Sequence, residues 1–105
     1  MSRKSKTRVV YGKFEWDADK ARRNFEDHKV TFEQATLVFN DPLFLVLRDP
    51  DHSEVEQRYI IIGESHQKRY LIVSYTERGA RTRIISAREL NPKERRTYEA
   101  NREKF

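Results

Sequence analysis

Residues 69–88 read RYLIVSYTERGARTRIISAR, the strongest strand signal in the chain. Two segments rich in β-branched and aromatic residues flank the polar cluster at 77–80, which is typical of two strands joined by a short turn. A connection this short favours antiparallel pairing, because a parallel pair needs a crossover of about a dozen residues or more. We therefore predict a hairpin of strands 69–76 and 81–87, with Tyr75 opposite Thr82 and Ser74 opposite Arg83.

Similar signals extend outward from this hairpin. Strands are predicted at 43–49 and 57–63 and, before them, at 14–16. Asp17 is placed to cap a helix to about residue 28, Thr31 and Gln34 form a capping box for a second helix to about residue 39, and Asn91 opens a last helix. The chain is thus predicted to be one α+β domain over residues 14–105 of order β-α-α-β-β-β-β-α, with a small antiparallel sheet backed by helices. Residues 1–13 are predicted to be a flexible basic tail with at most a strand at its end.

The charge of this chain is unevenly distributed. The formal net charge is +5, and residues 1–13 carry five basic and no acidic side chains. Residues 57–105 contain nine arginines and only three lysines. The planar guanidinium suits bidentate contacts with phosphate and stacking on bases, so this bias favours nucleic acid as a partner. The alternative is that the charges only solvate the surface.

Several classes of function find no support in the composition. The absence of cysteine excludes a thiolate nucleophile or a cysteine zinc site. Neither the histidine spacing nor the three isolated glycines match a zinc site or a phosphate loop, so we predict no metal and no cofactor. No apolar run approaches the roughly 20 residues of a membrane span. We expect a cytoplasmic protein without a membrane partner.

Polar residues near the predicted strands fit the metal-free cleavage of RNA. His52 and Glu56 are candidate acid–base groups, and Arg58, Arg78 and Arg83 can stabilise charge on a phosphate. Each has a plainer interpretation: Glu56 and Arg58 as an ordinary ion pair, His52 as a turn residue. Likewise, Tyr75 suits either a base-stacking platform or the edge of the core, and Arg81 and Arg83 suit either phosphate binding or protection of an edge strand.

The chain resembles the BrnT family of bacterial toxins over about residues 14–100. The resemblance rests on short segments in the family's order: Phe14-Glu15-Trp16-Asp17 with Lys20 and Asn24, His28-Lys29-Val30 with Phe32 and Ala35, Phe39 with Asp41-Pro42, Asp51-His52-Ser53, Glu56 with Arg58, Ile62-Gly63, Tyr75-Thr76 with Arg78-Gly79, Arg83-Ile84-Ile85-Ser86-Ala87-Arg88, and Glu94-Arg95 with Tyr98-Glu99. The glycine that often precedes Val30 in the family is missing here.

The resemblance implies a RelE-like fold and the ribonuclease component of a type II toxin–antitoxin system. Its implied partners are messenger RNA, on or off the ribosome, a BrnA-like antitoxin with a ribbon-helix-helix part, and operator DNA bound through the antitoxin complex. We assign proton transfer to His52 or Glu56 and phosphate binding to Arg58, Arg78 and Arg83. Further RNA contacts are assigned to Tyr75, Arg81, Arg88 and His28. The alternative function is a non-catalytic module that binds the antitoxin and nucleic acid as a co-repressor.

Overall fold

A computed structural model describes residues 7–49, 56–66 and 68–102 of the chain. The strands are β1 Arg8–Tyr11, β2 Phe14–Asp17, β3 Leu45–Arg48, β4 Arg58–Glu64, β5 Tyr70–Arg78 and β6 Arg81–Glu89. The helices are α1 Ala18–His28, α2 Phe32–Thr36 and α3 Pro92–Arg102, and a 3₁₀ helix, Leu37–Asn40, directly follows α2. None of the helices in these ranges is both long and apolar enough to cross a membrane.

The strands form one mixed sheet in the order β1-β2-β6-β5-β4-β3. Antiparallel pairing of β3 to β6 confirms the prediction for these four segments. A purely antiparallel sheet was wrong, because β2 pairs with β6 in parallel, and the predicted order omitted β1. The elements between β2 and β6 form the long crossover that parallel pairing requires. A strand at the end of the basic segment, which the sequence allowed, is present as β1, whereas residues 1–6 lie outside the described ranges.

Side-chain caps begin each α-helix where the sequence predicts. Asp17 accepts a hydrogen bond from the Lys20 amide, and Thr31 accepts one from the Gln34 amide. The Gln34 side chain does not close the predicted box but turns to the β4–β5 loop. At α3 the box is complete, with Asn91 and Glu94 bonding each other's backbone amides. The second helix is shorter than predicted, since its α-helical part ends at Thr36.

The core lies between one face of the sheet and the segment formed by α2 and the 3₁₀ helix. Phe32 of α2 packs edge-on against Trp16 of β2, and Phe39 packs edge-on against Tyr75 of β5. Trp16, Phe32, Val38, Val73 and Ile84 are among the residues of this buried cluster. Along each strand, the residues between those of the core point to the opposite face of the sheet, because side chains alternate. We call this opposite face the open face.

Helix α1 lies alongside β6 beyond the point where β2 ends. Its buried Asn24 donates from Nδ2 to the carbonyl oxygens of Ala87 (2.8 Å) and Val30 (3.0 Å). The Ala87 amide donates back to Asn24 Oδ1 at 3.0 Å. One side chain thus satisfies both backbone groups of a β6 residue at this edge. This arrangement holds the end of α1, at His28, beside β6.

Helix α3 contacts one end of the open face. Its only buried aromatic residue among those described, Tyr98, packs against Tyr70 of β5. The Tyr98 hydroxyl donates to Asp41 Oδ2 at 2.7 Å, and the same oxygen accepts from the Glu64 amide. Arg95 of α3 lies over the Tyr70 ring. The rest of the open face, from Ile72 to Thr76 along β5, extends beyond this helix.

Candidate functional site

Four residues of neighbouring strands form a row across the open face. Arg58 of β4 pairs with Thr76 of β5, and Thr76 pairs with Arg83 of β6. Glu15 of β2 is the partner of Arg83 on its other side. Neighbouring strands are about 4.8 Å apart, so the Cα atoms of the two arginines are separated by roughly 10 Å. We call Arg58, Thr76, Arg83 and Glu15 the arginine row.

Glu15 holds the β6 end of the arginine row in place. Its Oε2 accepts from Arg83 Nη1 at 2.9 Å, and its Oε1 accepts from Arg8 at 2.7 Å. Glu15 is only 4% exposed, and the bond from Arg8, opposed by burial and reinforced by Arg83, lowers the pKa of its carboxyl group. A buried carboxylate therefore fixes the position of Arg83, whose side chain remains 21% exposed. This role of Glu15 was not predicted from the sequence, although alternation along the strand places Glu15 on the face opposite the aromatic residues Phe14 and Trp16.

A second group of charges lies at the Arg58 end of the arginine row. Glu56 approaches Arg58 Nε at 3.5 Å through one carboxylate oxygen and Arg78 Nη2 at 3.6 Å through the other. The side chains of Glu56 and Arg58 are about one third exposed, and that of Arg78 is 53% exposed. The fold thus brings three predicted site residues together, with a solvent-accessible carboxylate between two guanidinium groups.

The pairing of β5 with β6 is irregular beside the arginine row. Ser74 lies opposite Ser86, yet Tyr75 lies opposite Ile84, so Ile85 is an extra residue in β6. The predicted partners of Tyr75 and Ser74 were wrong. A turn of only two residues between Arg78 and Arg81 places Tyr75 opposite Ile84, and the bulge displaces the partner of Ser74 by one residue more, to Ser86. In that turn Gly79 has φ +59°, a conformation that glycine adopts without strain.

The bulge also changes which β6 side chains share the open face. Without the extra residue, Arg83 and Arg88 would point to opposite faces, because side chains alternate along a strand. With it, Ile84 and Ala87 are both buried in the core. Arg83, Ser86 and Arg88 are accordingly brought to the open face, where Thr76, Ser74 and Ile72 are their partners on β5.

A cleft of about 290 Å³ lies on the open face between α3 and the arginine row. We call it the serine cleft, and its main lining residues are His28, Ile60, Ile72, Ser74, Ser86 and Arg88. Two parallel-running bonds of 2.9 Å join Arg88 to the carboxylate of Glu94. The bonds from Arg88, together with the Asn91 amide, lower the pKa of Glu94 to about 2, and the bonds to Glu94 raise the pKa of Arg88. His28 and Arg88, which were both predicted to contact RNA, thus line the same cleft.

Tyr75 does not occupy the position that a base-stacking platform requires. Its side chain points to the core, where it is 7% exposed and lies between Tyr59, stacked at 5.5 Å, and Phe39. Burial raises the pKa of its hydroxyl group. The expectation of an exposed ring was wrong, because the face that carries Tyr75 is the one covered by the 3₁₀ helix. The alternative left open by the sequence, a residue of the core, is what the structure has.

Two further predicted residues are Arg81 and His52. Arg81 starts β6 as the register partner of Arg78, with a buried Nε that has no hydrogen-bond partner in the described part of the chain. His52 lies outside the described residues. Within the described ranges, no three histidine, aspartate or glutamate side chains come together as a possible metal-binding group.

Comparisons with known proteins agree with this architecture. A family model described as "Ribonuclease toxin, BrnT, of type II toxin-antitoxin system" matches residues 16–94. The crystal structure of the Brucella abortus ribonuclease toxin BrnT superposes with a TM-score of 0.55 at 20% identity, covering 72% of this chain and 92% of that one. No curated protein matches the chain significantly.

The match spans most of the domain, so the protein belongs to a family of small toxins from type II toxin–antitoxin systems. That family is BrnT, described as ribonuclease toxins, and the resemblance seen in the sequence is confirmed. The likeness to the Brucella protein shows that the two share a fold of helices on a mixed sheet. Membership implies an RNA substrate and an antitoxin partner.

Proposed function

We propose that the protein is an endoribonuclease that cleaves RNA without a metal ion, by attack of a ribose 2′-hydroxyl on the adjacent phosphate. The observation that carries the proposal is the arginine row. The guanidinium groups of Arg58 and Arg83 lie on the same face of the sheet on either side of β5, and the Glu56 carboxylate lies at the Arg58 end of the row. Such an arrangement suits a single phosphodiester linkage flanked by an acid–base group.

The chemistry follows from the charges of this site. A base removes the proton of the 2′-hydroxyl, a bond forms between O2′ and phosphorus, and the bond from phosphorus to O5′ breaks. The departing O5′ takes up a proton. Glu56 and His52 are the candidates for removing the proton from O2′ and for supplying one to O5′. Arg58, Arg78 and Arg83 stabilise the negative charge that accumulates on the phosphoryl oxygens.

The ion pairs of these arginines are compatible with phosphate binding. Arg83 donates one bond from Nη1 to Glu15, whereas a guanidinium group has five N–H donors in a fixed fork. The contacts of Arg58 and Arg78 with Glu56 are long, at 3.5 and 3.6 Å, and the side chains are partly exposed. Solvent-exposed ion pairs of this kind contribute little to stability, so a phosphate group can replace Glu56 as the partner of Arg58 and Arg78. The side chains of Arg58, Arg78 and Arg83 thus remain partly exposed beside their carboxylate partners.

The proposed partner that controls this activity is a BrnA-like antitoxin with a ribbon-helix-helix part, and the complex is proposed to bind operator DNA. We propose that the antitoxin covers either the arginine-bearing open face or α3. In the described part of α3, Tyr98 is the residue that is buried, and the remaining positions are polar or partly exposed. Hydrogen exchange in residues 92–102 should slow when the antitoxin binds there. Equal exchange with and without antitoxin would contradict a role for α3.

A cleavage assay in excess EDTA tests the proposed activity. Purified wild-type protein should cut a single-stranded RNA, and Arg83→Ala and Glu56→Ala should each lose about 10²-fold or more in rate. Arg22→Ala removes an exposed arginine of α1 that pairs only with Asp19 and Glu26 in the described structure, and it should cut RNA at the wild-type rate. Circular dichroism of each variant checks that the fold is retained.

The same assay separates the two candidate functions. RNA that stays intact with the wild-type protein, both as purified message and in a translating extract, would support the non-catalytic module instead. Cleavage only in the translating extract would keep the enzyme and show that the ribosome is required. Cleavage of RNA by both Arg83→Ala and Glu56→Ala at the wild-type rate would reject the site while leaving the activity.

A further inference from the structure

We infer that the serine cleft binds one unpaired nucleobase of the RNA, next to the phosphate that is cleaved. This inference rests on the proposed function and adds to it the part of the substrate that this chain recognises. It assigns the cleft a role that is distinct from the phosphate contacts of the arginine row.

The floor and walls of the serine cleft suit a flat, partly polar ligand. Ile60 and Ile72 provide half-buried aliphatic side chains, and the hydroxyl groups of Ser74 and Ser86 lie on directly opposed residues. A nucleobase has apolar faces and a polar edge, so it can contact the isoleucines and hydrogen-bond to the serines at the same time. The volume of about 290 Å³ accommodates a single base.

Arg88 is suited to stacking rather than to binding phosphate. Its guanidinium group is held by two bonds to the Glu94 carboxylate, which neutralise its charge and fix the orientation of its plane. The edge of the fork is occupied, but 41% of the side chain remains exposed, and Arg88 is one of the residues that line the cleft. An arginine plane is one of the surfaces on which unpaired bases stack in RNA complexes. Arg88 therefore takes the stacking role that the sequence analysis assigned to Tyr75.

The serine cleft lies beside the arginine row on the same face of the sheet. Ser74 lies two residues before Thr76 on β5, a distance of about 7 Å along the strand. The β6 bulge brings Ser86 and Arg88 to the same face as Arg83, and bulges commonly re-aim side chains next to active sites. A base in the cleft and a phosphate on the arginine row can thus belong to neighbouring positions of one strand. His28 contributes an exposed imidazole ring at the rim.

Titration of the isotope-labelled full chain with nucleoside 3′-monophosphates, followed by NMR, tests the inference without requiring cleavage. The nucleotides should shift the amide signals of Ile72, Ser74, Ser86 and Arg88. Ribose 5-phosphate, which lacks a base, should shift only signals near the arginine row. The inference is overturned if no nucleotide shifts the cleft signals, or if ribose 5-phosphate shifts them equally.

Two substitutions at one position provide a matched comparison. Ser86→Leu fills the cleft and should weaken nucleotide binding by more than about 10-fold, whereas Ser86→Ala keeps the space, removes one hydrogen bond to the base and should weaken binding by only about 2- to 10-fold. Ser74→Val, which is well tolerated in a strand, repeats the filling experiment if Ser86→Leu does not fold. Unchanged binding in the folded, filled variant would refute the assignment.

The outcomes distinguish this inference from the proposed function. RNA cleavage in EDTA without any cleft shifts would retain the enzyme and reject the base-binding cleft. Cleft shifts with no cleavage of RNA would retain the nucleotide site and reject the catalytic proposal. If the antitoxin shifts the cleft signals but none of the nucleotides does, the cleft is a protein-binding surface and the inference is overturned.

Discussion

Replacing Glu15 with glutamine removes the charge that positions Arg83 while keeping the shape of the side chain. Glu15 is buried and accepts bonds from Arg8 at 2.7 and 3.1 Å and from Arg83 at 2.9 Å. A hydrogen bond to a charged group contributes about 1.5–3 kcal/mol. We expect Glu15→Gln to lower both the stability of the fold and the activity assigned to Arg83, because Glu15 is a positioning residue for Arg83.

The magnitude follows from the exposure of the two partners. Arg83 is 21% exposed, so we assign its bond about 2 kcal/mol, near the low end for charged pairs. Arg8 is 56% exposed, and solvent screening reduces its contribution to at most about 1 kcal/mol. The expected decrease in the free energy of unfolding is therefore about 2–3 kcal/mol at pH 7.

The stability difference should also depend on pH. The pKa of the Glu15 carboxyl group is lowered in the folded protein, chiefly by the bond from Arg8. Its contribution is consequently present above the pKa of the unfolded chain, near 4.5, and is lost as the pH falls through the folded value. Urea unfolding at pH 7 and at successively lower pH should show the wild type approaching Glu15→Gln.

Glu26→Gln is the matched control, because Glu26 forms an exposed pair with Arg22 on α1. It should change stability by less than about 0.5 kcal/mol at every pH. A Glu15→Gln variant within that same margin at pH 7 would show that the bonds of Glu15 to Arg8 and Arg83 do not stabilise the fold. A deficit that stays constant as the pH falls below the folded pKa would show that the charge of Glu15 is not its cause. If RNA cleavage is unaffected while stability falls, Glu15 is structural and does not position Arg83 for the reaction.

Three further substitutions test the contacts that shape the open face. Asn24→Ala leaves three buried backbone hydrogen bonds unmade and should cost about 3–5 kcal/mol by urea unfolding. Gly63→Ala places a methyl group 2.9 Å from Asp41 Oδ2 and should cost about 1–3 kcal/mol in the same assay. Glu94→Gln should cost about 1–2 kcal/mol at pH 7, discounted for the partly exposed Arg88, and the difference should vanish as the pH falls from 4.5 through about 2.

Each of these has its own control and its own contradicting result. Asn40→Ala removes an exposed asparagine and should be close to neutral, and an equal loss in both asparagine variants would show that no buried network is involved. A Gly63→Ala protein as stable as the wild type would mean that Asp41 moves without cost. Glu99→Gln, at an exposed pair on α3, should have no pH-dependent effect, unlike Glu94→Gln.

Local signals were sufficient to predict most elements of the fold. The caps at Asp17, Thr31 and Asn91 are formed by short-range bonds between neighbours in sequence, so the residues themselves indicate where the helices begin. The hairpin of β5 and β6 is similarly local. The parallel pairing of β2 with β6 joins residues almost 70 positions apart, such as Glu15 and Arg83, and no local pattern reports it.

The sequence predicted the residue types of the candidate site better than it predicted their geometry. The arginines and Glu56 were identified because their chemistry suits phosphate, and their strand positions place three of them together. The face occupied by each β6 side chain could not be predicted, because a bulge of one residue inverts the alternation from Ser86 onward. Tyr75 was ambiguous for a related reason, since a tyrosine suits both a core and a binding surface.

The proposed function requires the arginine row to promote attack by a neighbouring 2′-hydroxyl without a metal ion. The most direct measurement is the chemical nature of the RNA ends made in excess EDTA, together with cleavage of an RNA carrying one 2′-deoxynucleotide at the cut position. We expect 2′,3′-cyclic phosphate and 5′-hydroxyl ends, and no cutting at the deoxy position. Ends with a 3′-hydroxyl and a 5′-phosphate, or cleavage that stops in EDTA, would contradict it.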